Sequence, residues 1–172
     1  MAEERARNPN LMSPKAMEAM ASTAGSGKEL ISEIFTKVNN AKVKADKVAV
    51  LRQNNTPAMR MLLKGAFDPK VEWDLPPGIP PFIRNEAPEG TQHTWLDNEA
   101  KRLYNFIKGG NNELTRIRKE TLFIQILEGL HEKDADVLID VKNGTLNKTY
   151  KGLTSDMVKE AFNWNADFMK AE

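Results

Sequence analysis

A chain of 172 residues is sized for one domain with a core of its own, and its 25 Lys and Arg against 24 Asp and Glu leave a net charge of only +1. It holds no cysteine and two histidines, His93 and His131, which excludes disulfides, thiolate nucleophiles and cysteine-bound metal. No apolar run approaches the ~20 residues that span a bilayer, and the opening MAEERARNPN is charged where a secretory signal needs an apolar stretch.

Residues 1–27 read as a flexible N-terminal arm. Ser13-Pro14 can start a short helix through Met17 and Met20, because proline suits the first helical position. Residues 21–27 are Ala, Ser, Thr and Gly and read as a joint. Met12, Met17 and Met20 make the arm a candidate for docking on a protein, although a frayed terminus explains it more simply. Gly25-Ser26-Gly27-Lys28 resembles the end of a phosphate-binding loop. The first glycine of that motif is replaced by Ser22, the hydroxyl after the lysine by Glu29, and no apolar strand precedes it, so the motif fails.

Residues 28–53 are expected to form one long helix, with Ile31, Ile34, Phe35, Val38, Ala41, Ala45 and Val48 as its stripe. Beyond Val38 lysines crowd in and the stripe weakens. Asn54-Asn55 breaks it, and Thr56-Pro57 restarts a helix as N-cap and first residue. Ala58, Leu62, Leu63 and Phe67 are its apolar side, and Asp68-Pro69 ends it. Residues 69–93 hold six of the nine prolines, which argues against helix and central strand alike. Val71, Trp73, Leu75, Ile79, Phe82 and Ile83 are too apolar for a solvated linker. The segment reads as an ordered, extended strap across the helices, with Trp73 and Phe82 as anchors and candidate protein-docking residues. A proline-rich ligand for a partner's aromatic groove is the alternative.

Residues 94–130 read as a helical hairpin at the centre of the fold. Thr94 is the expected N-cap and Asp97 sits near the positive end of the helix dipole. Leu96, Ala100, Leu103 and Ile107 make the stripe, and Gly109-Gly110 stops the helix. Asn111 or Asn112 is the expected cap of the second helix, whose face carries Leu114, Ile117, Thr121, Ile124 and Leu127, widened by Leu122, Phe123, Ile126 and Leu130. So wide a stripe marks this as the most buried helix. A short helix starting at Asp134 or Asp136 follows and closes at Asn143-Gly144. Residues 145–152 read as a loop or one short strand. Leu153-Thr154 begins the last helix, with Met157, Val158, Ala161 and Phe162 as its stripe and Trp164 and Phe168 behind it.

No catalytic set emerges. Neither histidine has a metal-spaced partner, no serine sits in a nucleophile elbow, and Asp134, Asp136 and Asp140 miss the calcium-loop pattern, reading instead as solvated acids. No cofactor is implied. The charge, however, is unevenly placed. Residues 37–64 carry seven cations against Asp46, a net of +6, and residues 101–119 carry six against Glu113, a net of +5. Lys42, Lys44, Lys47, Lys101, Arg102, Lys108, Arg116, Arg118 and Lys119 are therefore the candidate contacts for a partner or for a nucleic-acid backbone. A solvated face explains the same residues.

Four stretches, NNTPAMRMLLKGAFDPKVEWDLPPGIPPF, EAKRLYNFIKGGN, RKETLFIQILEGLHEKDADVLIDVKN and YKGLTSDMVKEAF, resemble a family of small uncharacterised proteins encoded by T-even-like tailed phages. The resemblance spans roughly residues 30–163. It implies a phage origin and a place in the host bacterial cytoplasm or in the virion, and it brings no site residues with it.

The expectation is a mainly α, single-domain bundle of five to six helices around the 94–130 hairpin, with an irregular proline-rich strap. The arm covers 1–27, the helical domain 28–165 and a C-terminal tail 166–172. The functional expectation is a non-enzymatic interaction protein that binds a host or phage protein. The rival is a nucleic-acid-binding accessory protein using the basic faces. Neither involves a membrane, and the oligomeric state is open.

Overall fold

The computed structural model describes residues 29–171 apart from 87 and 89. The expected arm, with Met12, Met17 and Met20, and the Gly25–Lys28 run lie outside the described residues. Within them the chain is all helix and loop: α1 (Ile31–Asn40), α2 (Lys44–Gln53), α3 (Pro57–Phe67), α4 (Leu96–Glu99), a 3-10 helix (Ala100–Phe106), α5 (Arg116–Gly129), α6 (Glu132–Asn143), α7 (Leu146–Thr149) and α8 (Ser155–Phe162). The mainly α, single-domain expectation holds, with eight α-helices among the described residues where five or six were expected.

The centre is α6 rather than the hairpin. It packs on α1, α3, α5 and α7, and it buries Ala135, Val137, Leu138, Ile139 and Val141 together with Asp134 and Lys142. Only four residues of α5 are buried, so α5 is not the most buried helix. The start of α6 is fixed by His131, whose Nδ1 accepts the Lys133 N–H at 3.1 Å, and its end by Gly144 at φ +70°, the left-handed conformation that suits glycine.

The expected long helix is two. The chain turns at 41–43, where the stripe weakened. The Lys47 ammonium donates to the Val38 and Asn39 carbonyls at 2.9 and 3.2 Å, satisfying groups that a continued helix would have bonded internally. The caps Thr56 and Thr154 are as expected, accepting from the Met59 and Met157 N–H groups. Residues 146–149 form the short helix α7 rather than a loop or strand. Trp164 and Phe168 fold back on Phe162, with ring centroids 5.0 Å (Phe162–Trp164) and 6.2 Å (Trp164–Phe168) apart.

The hairpin departs most from expectation. Its first arm begins after Trp95, not Thr94, and tightens into a 3-10 turn that stops at Phe106. The strap causes this. Trp73 and Ile107 form an antiparallel bridge, with Asp74 N–H donating to Phe106 O at 2.7 Å and Lys108 N–H to Glu72 O at 2.8 Å. That pairing draws Ile107 into an extended conformation. The second arm is capped by Thr115, which accepts the Arg118 N–H, while Asn111 accepts from Glu113 N–H outside the helix. The expected face of α5 is also rotated. Ile117 is 77% exposed and Thr121 is exposed, whereas Phe123, Ile126 and Leu127 point inward as expected and Lys119 joins them.

Candidate functional site

The strap runs over the outside of α5 and α6 and is pinned along its length. Trp73 packs against Gly65, where a Cβ would lie 2.9 Å from the indole, and its Nε1–H donates to Gly65 O at 3.0 Å. The Lys142 ammonium donates to the Pro76 and Gly78 carbonyls and to Asn143 Oδ1, at 2.8, 2.9 and 2.6 Å. Ile83 N–H donates to Glu128 Oε2 at 2.9 Å, and the Arg84 guanidinium reaches Asp136 at 2.7 Å. Leu75 is buried, and Phe82 is half-buried against the core. Ile79 and Ile83 point away from it, 70% and 80% exposed. An extended backbone fixed at four places thus holds two branched apolar side chains in water, with little ordering left to lose on binding.

The nine basic candidates do not form one surface. Lys47 caps α1. Lys44 pairs with Glu160 at 2.9 Å, Lys108 with Glu72 at 3.3 Å, and Arg102 with Glu99. Lys119 is 3% exposed and bonds Asp74 at 2.9 Å. That hydrogen bond holds the Asp74 carboxyl below the usual carboxylate range, against a desolvation that raises it. Lys119 is therefore part of the core, not a contact for a partner. Lys42, Lys101, Arg116 and Arg118 are exposed and make no ion pair among the described residues.

Asp134, expected on the outer face, is 2% exposed. It accepts the Ser32 N–H at 2.9 Å and so joins α1 to α6. Burial lifts its carboxyl above the ordinary value near 3.8, opposed mainly by the hydrogen bonds from Ser32. The Ser32 hydroxyl lies close enough to favour the carboxylate, yet no hydrogen bond of normal geometry forms from it. A carboxyl raised in the fold binds more protons there than in the unfolded chain over the window above 3.8. Stability therefore falls as pH rises through that window and stays lower above it. Asp134→Asn is expected to raise stability at pH 7 by about 1 kcal/mol and to flatten this dependence. The amide keeps an oxygen for Ser32 N–H and gains a donor for the Ser32 hydroxyl. Urea unfolding at several pH values checks it; a variant less stable than wild type at pH 7 contradicts it.

An open cleft of about 470 Å³ lies between α1, α6 and α7. No group of three His, Asp or Glu suited to a metal occurs among the described residues, and none of their helices is long and apolar enough to cross a membrane. The cleft escaped sequence reading because its walls come from residues 29–37 and 133–150, which no local pattern connects.

The fold and its surfaces define a small all-α domain bound by a strap. A family model described as a family of unknown function (DUF6433) matches residues 34–148, and the chain belongs to that family. No curated protein and no solved structure matches it.

Proposed function

We propose that this chain is a non-enzymatic interaction protein of a tailed phage, acting in the host cytoplasm or within the virion, and that it binds another protein through the outer face of its strap. The observation that carries this reading is the exposure of Ile79 and Ile83 on a backbone tied down by Trp73, Lys142, Glu128 and Asp136. Ordered apolar side chains beside polar groups suit a protein interface. The phage origin and location rest on the resemblance of the four sequence stretches. Nucleic-acid binding is the weaker reading, because five of the nine basic candidates are already engaged within the chain.

Affinity purification of the tagged full chain from infected cells, with and without nuclease, tests the proposal. The expected result is a stoichiometric protein partner that survives nuclease. The double variant Ile79→Asp with Ile83→Asp should lose that partner at least tenfold, since central apolar anchors dominate interfaces, without lowering the unfolding midpoint. A partner retained by this variant, or one that vanishes with nuclease, overturns it. Loss on Arg116→Glu with Arg118→Glu, together with affinity that falls steeply with salt, would place the function with nucleic acid.

A further inference from the structure

We propose that the chain's own N-terminal arm, through Met12, Met17 and Met20, covers the outer row of the strap, and that a partner must displace it. That this row is a docking face rests on the reading above; the contact between arm and strap does not. The strap alternates here. Ile79, Pro81 and Ile83 are exposed, while Pro80 and Phe82 between them are half-buried, the two-residue period of extended chain. Ile79 and Ile83 thus stand about 13 Å apart on one side, at ~3.3 Å per residue. A pairing strand cannot cover the row. Pro80 and Pro81 have no N–H, and the Ile83 N–H is taken by Glu128. Its cover must therefore be made of apolar side chains. The other exposed large apolar residues, Val43, Tyr104, Ile117 and Met169, lie apart from it, on the α1–α2 turn, the 3-10 helix, α5 and the C-terminal segment.

The described chain begins beside this row. Ser32, three residues after Glu29, donates its N–H to Asp134, and Arg84, the neighbour of Ile83, reaches Asp136. The two aspartates are separated by a rise of only about 3 Å along α6. So α1 and the strap meet one turn of α6, and Glu29 lines the same cleft as Asp136. Met20 precedes Glu29 by nine residues, a reach of up to ~30 Å, and the 28 residues before Glu29 suffice to pass Ile83 and arrive at Ile79. Apart from Met1, their large apolar residues are Leu11, Met12, Met17 and Met20. An unbranched thioether adapts to a ridge of branched side chains. A segment joined in cis acts at an effective concentration on the order of millimolar, so contacts too weak to hold separate molecules together still close over the row. A partner then meets an open row only part of the time, and its apparent affinity falls by that fraction.

The test is methionine methyl NMR of the full chain. The Met17 and Met20 signals are expected away from the position of free methionine, and Ile79→Asp with Ile83→Asp should return them to it. Met59 and Met157, each 2% exposed in the core, should not move and so report an unchanged fold. Conversely, Met12→Asp, Met17→Asp and Met20→Asp together should shift the Ile79 and Ile83 amides and raise partner capture about threefold. Arm signals indifferent to the strap variant overturn the contact, whether or not a partner is captured. Arm signals that respond while no partner is found leave the contact standing and remove only the interaction reading. Capture by the methionine variant at or below the wild-type level overturns displacement, since the arm would then be idle or part of the interface.

Discussion

Gly110→Ala is expected to lower the stability of the fold by about 3 kcal/mol or more. A Cβ at this position would lie 1.9 Å from the Tyr104 carbonyl oxygen, 2.9 Å from its carbon and 3.1 Å from the Ile107 oxygen. All three are backbone atoms, so no side chain can rotate away. The 3-10 turn and the Ile107 bridge to Trp73 would have to separate, and with them the first attachment of the strap. Gly109→Ala is the informative control. Its φ is +84° but its Cβ meets nothing within 4 Å, so it bears only the left-handed penalty of about 1–2 kcal/mol. Denaturant unfolding of the two variants should rank Gly110→Ala clearly below Gly109→Ala. Equal losses would mean that backbone crowding is not what fixes this turn.

That turn also marks the boundary of what local sequence can reveal. Thr56-Pro57, Thr154 and the Gly144 closure were legible because each is settled within four residues. The cap of α5 was not, since Asn111, Asn112 and Thr115 all qualify by residue type. The choice among them was made by the strap, which pulled Ile107 out of the helix and lengthened the loop. The face of α5 was misread for a related reason. Leu114, Ile117, Thr121, Ile124 and Leu127 follow a helical period, and of these only Leu127 is buried; the inward face is made by the residues expected only to widen it, Phe123, Ile126 and Leu130, together with Lys119. A lysine in the true stripe disguised it, and only Asp74, 45 residues earlier in the chain, makes its burial tolerable.

The same limit applies to the functional surfaces. The strap was legible, because prolines among large apolar residues can be neither a helix nor a solvated linker. Trp73 and Phe82, expected as its anchors, do pack against the core, but nothing in the sequence set the outward Ile79 and Ile83 apart from the buried Leu75. Counts of charge revealed two basic segments but not their pairing. Glu72, Asp74, Glu99 and Glu160 engage four of the nine basic candidates, and α1 carbonyls a fifth. Asp134 is the acidic counterpart. Its partner Ser32 is 102 residues away, and without that contact an aspartate in the first turn of a helix reads as solvated.

The strap's rigidity, on which the interface proposal depends, hinges on Lys142. Lys142→Met is expected to cost about 2–3 kcal/mol. Methionine keeps the apolar stem against the core but removes every donor, leaving the Pro76 carbonyl without its partner and Gly78 with the Asn143 amide alone. Against this loss stands the relief of a desolvated ammonium, whose pKa burial lowers from 10.5. No carboxylate is bonded to it, so the clamp consists wholly of charge-assisted bonds to neutral oxygens, each stronger than a neutral pair. Three such bonds outweigh the relief because the Pro76 carbonyl accepts no other hydrogen bond among the described residues and Gly78 keeps only the Asn143 amide. Amide exchange at Gly78 and Ile83, bonded to Asn143 and Glu128, should accelerate more than exchange in α6. Partner capture should fall with it, although Ile79 and Ile83 are untouched, because the interface would then bear the entropy of ordering the strap. Unchanged exchange at both amides would show that Trp73 and Leu75 hold the strap without the lysine.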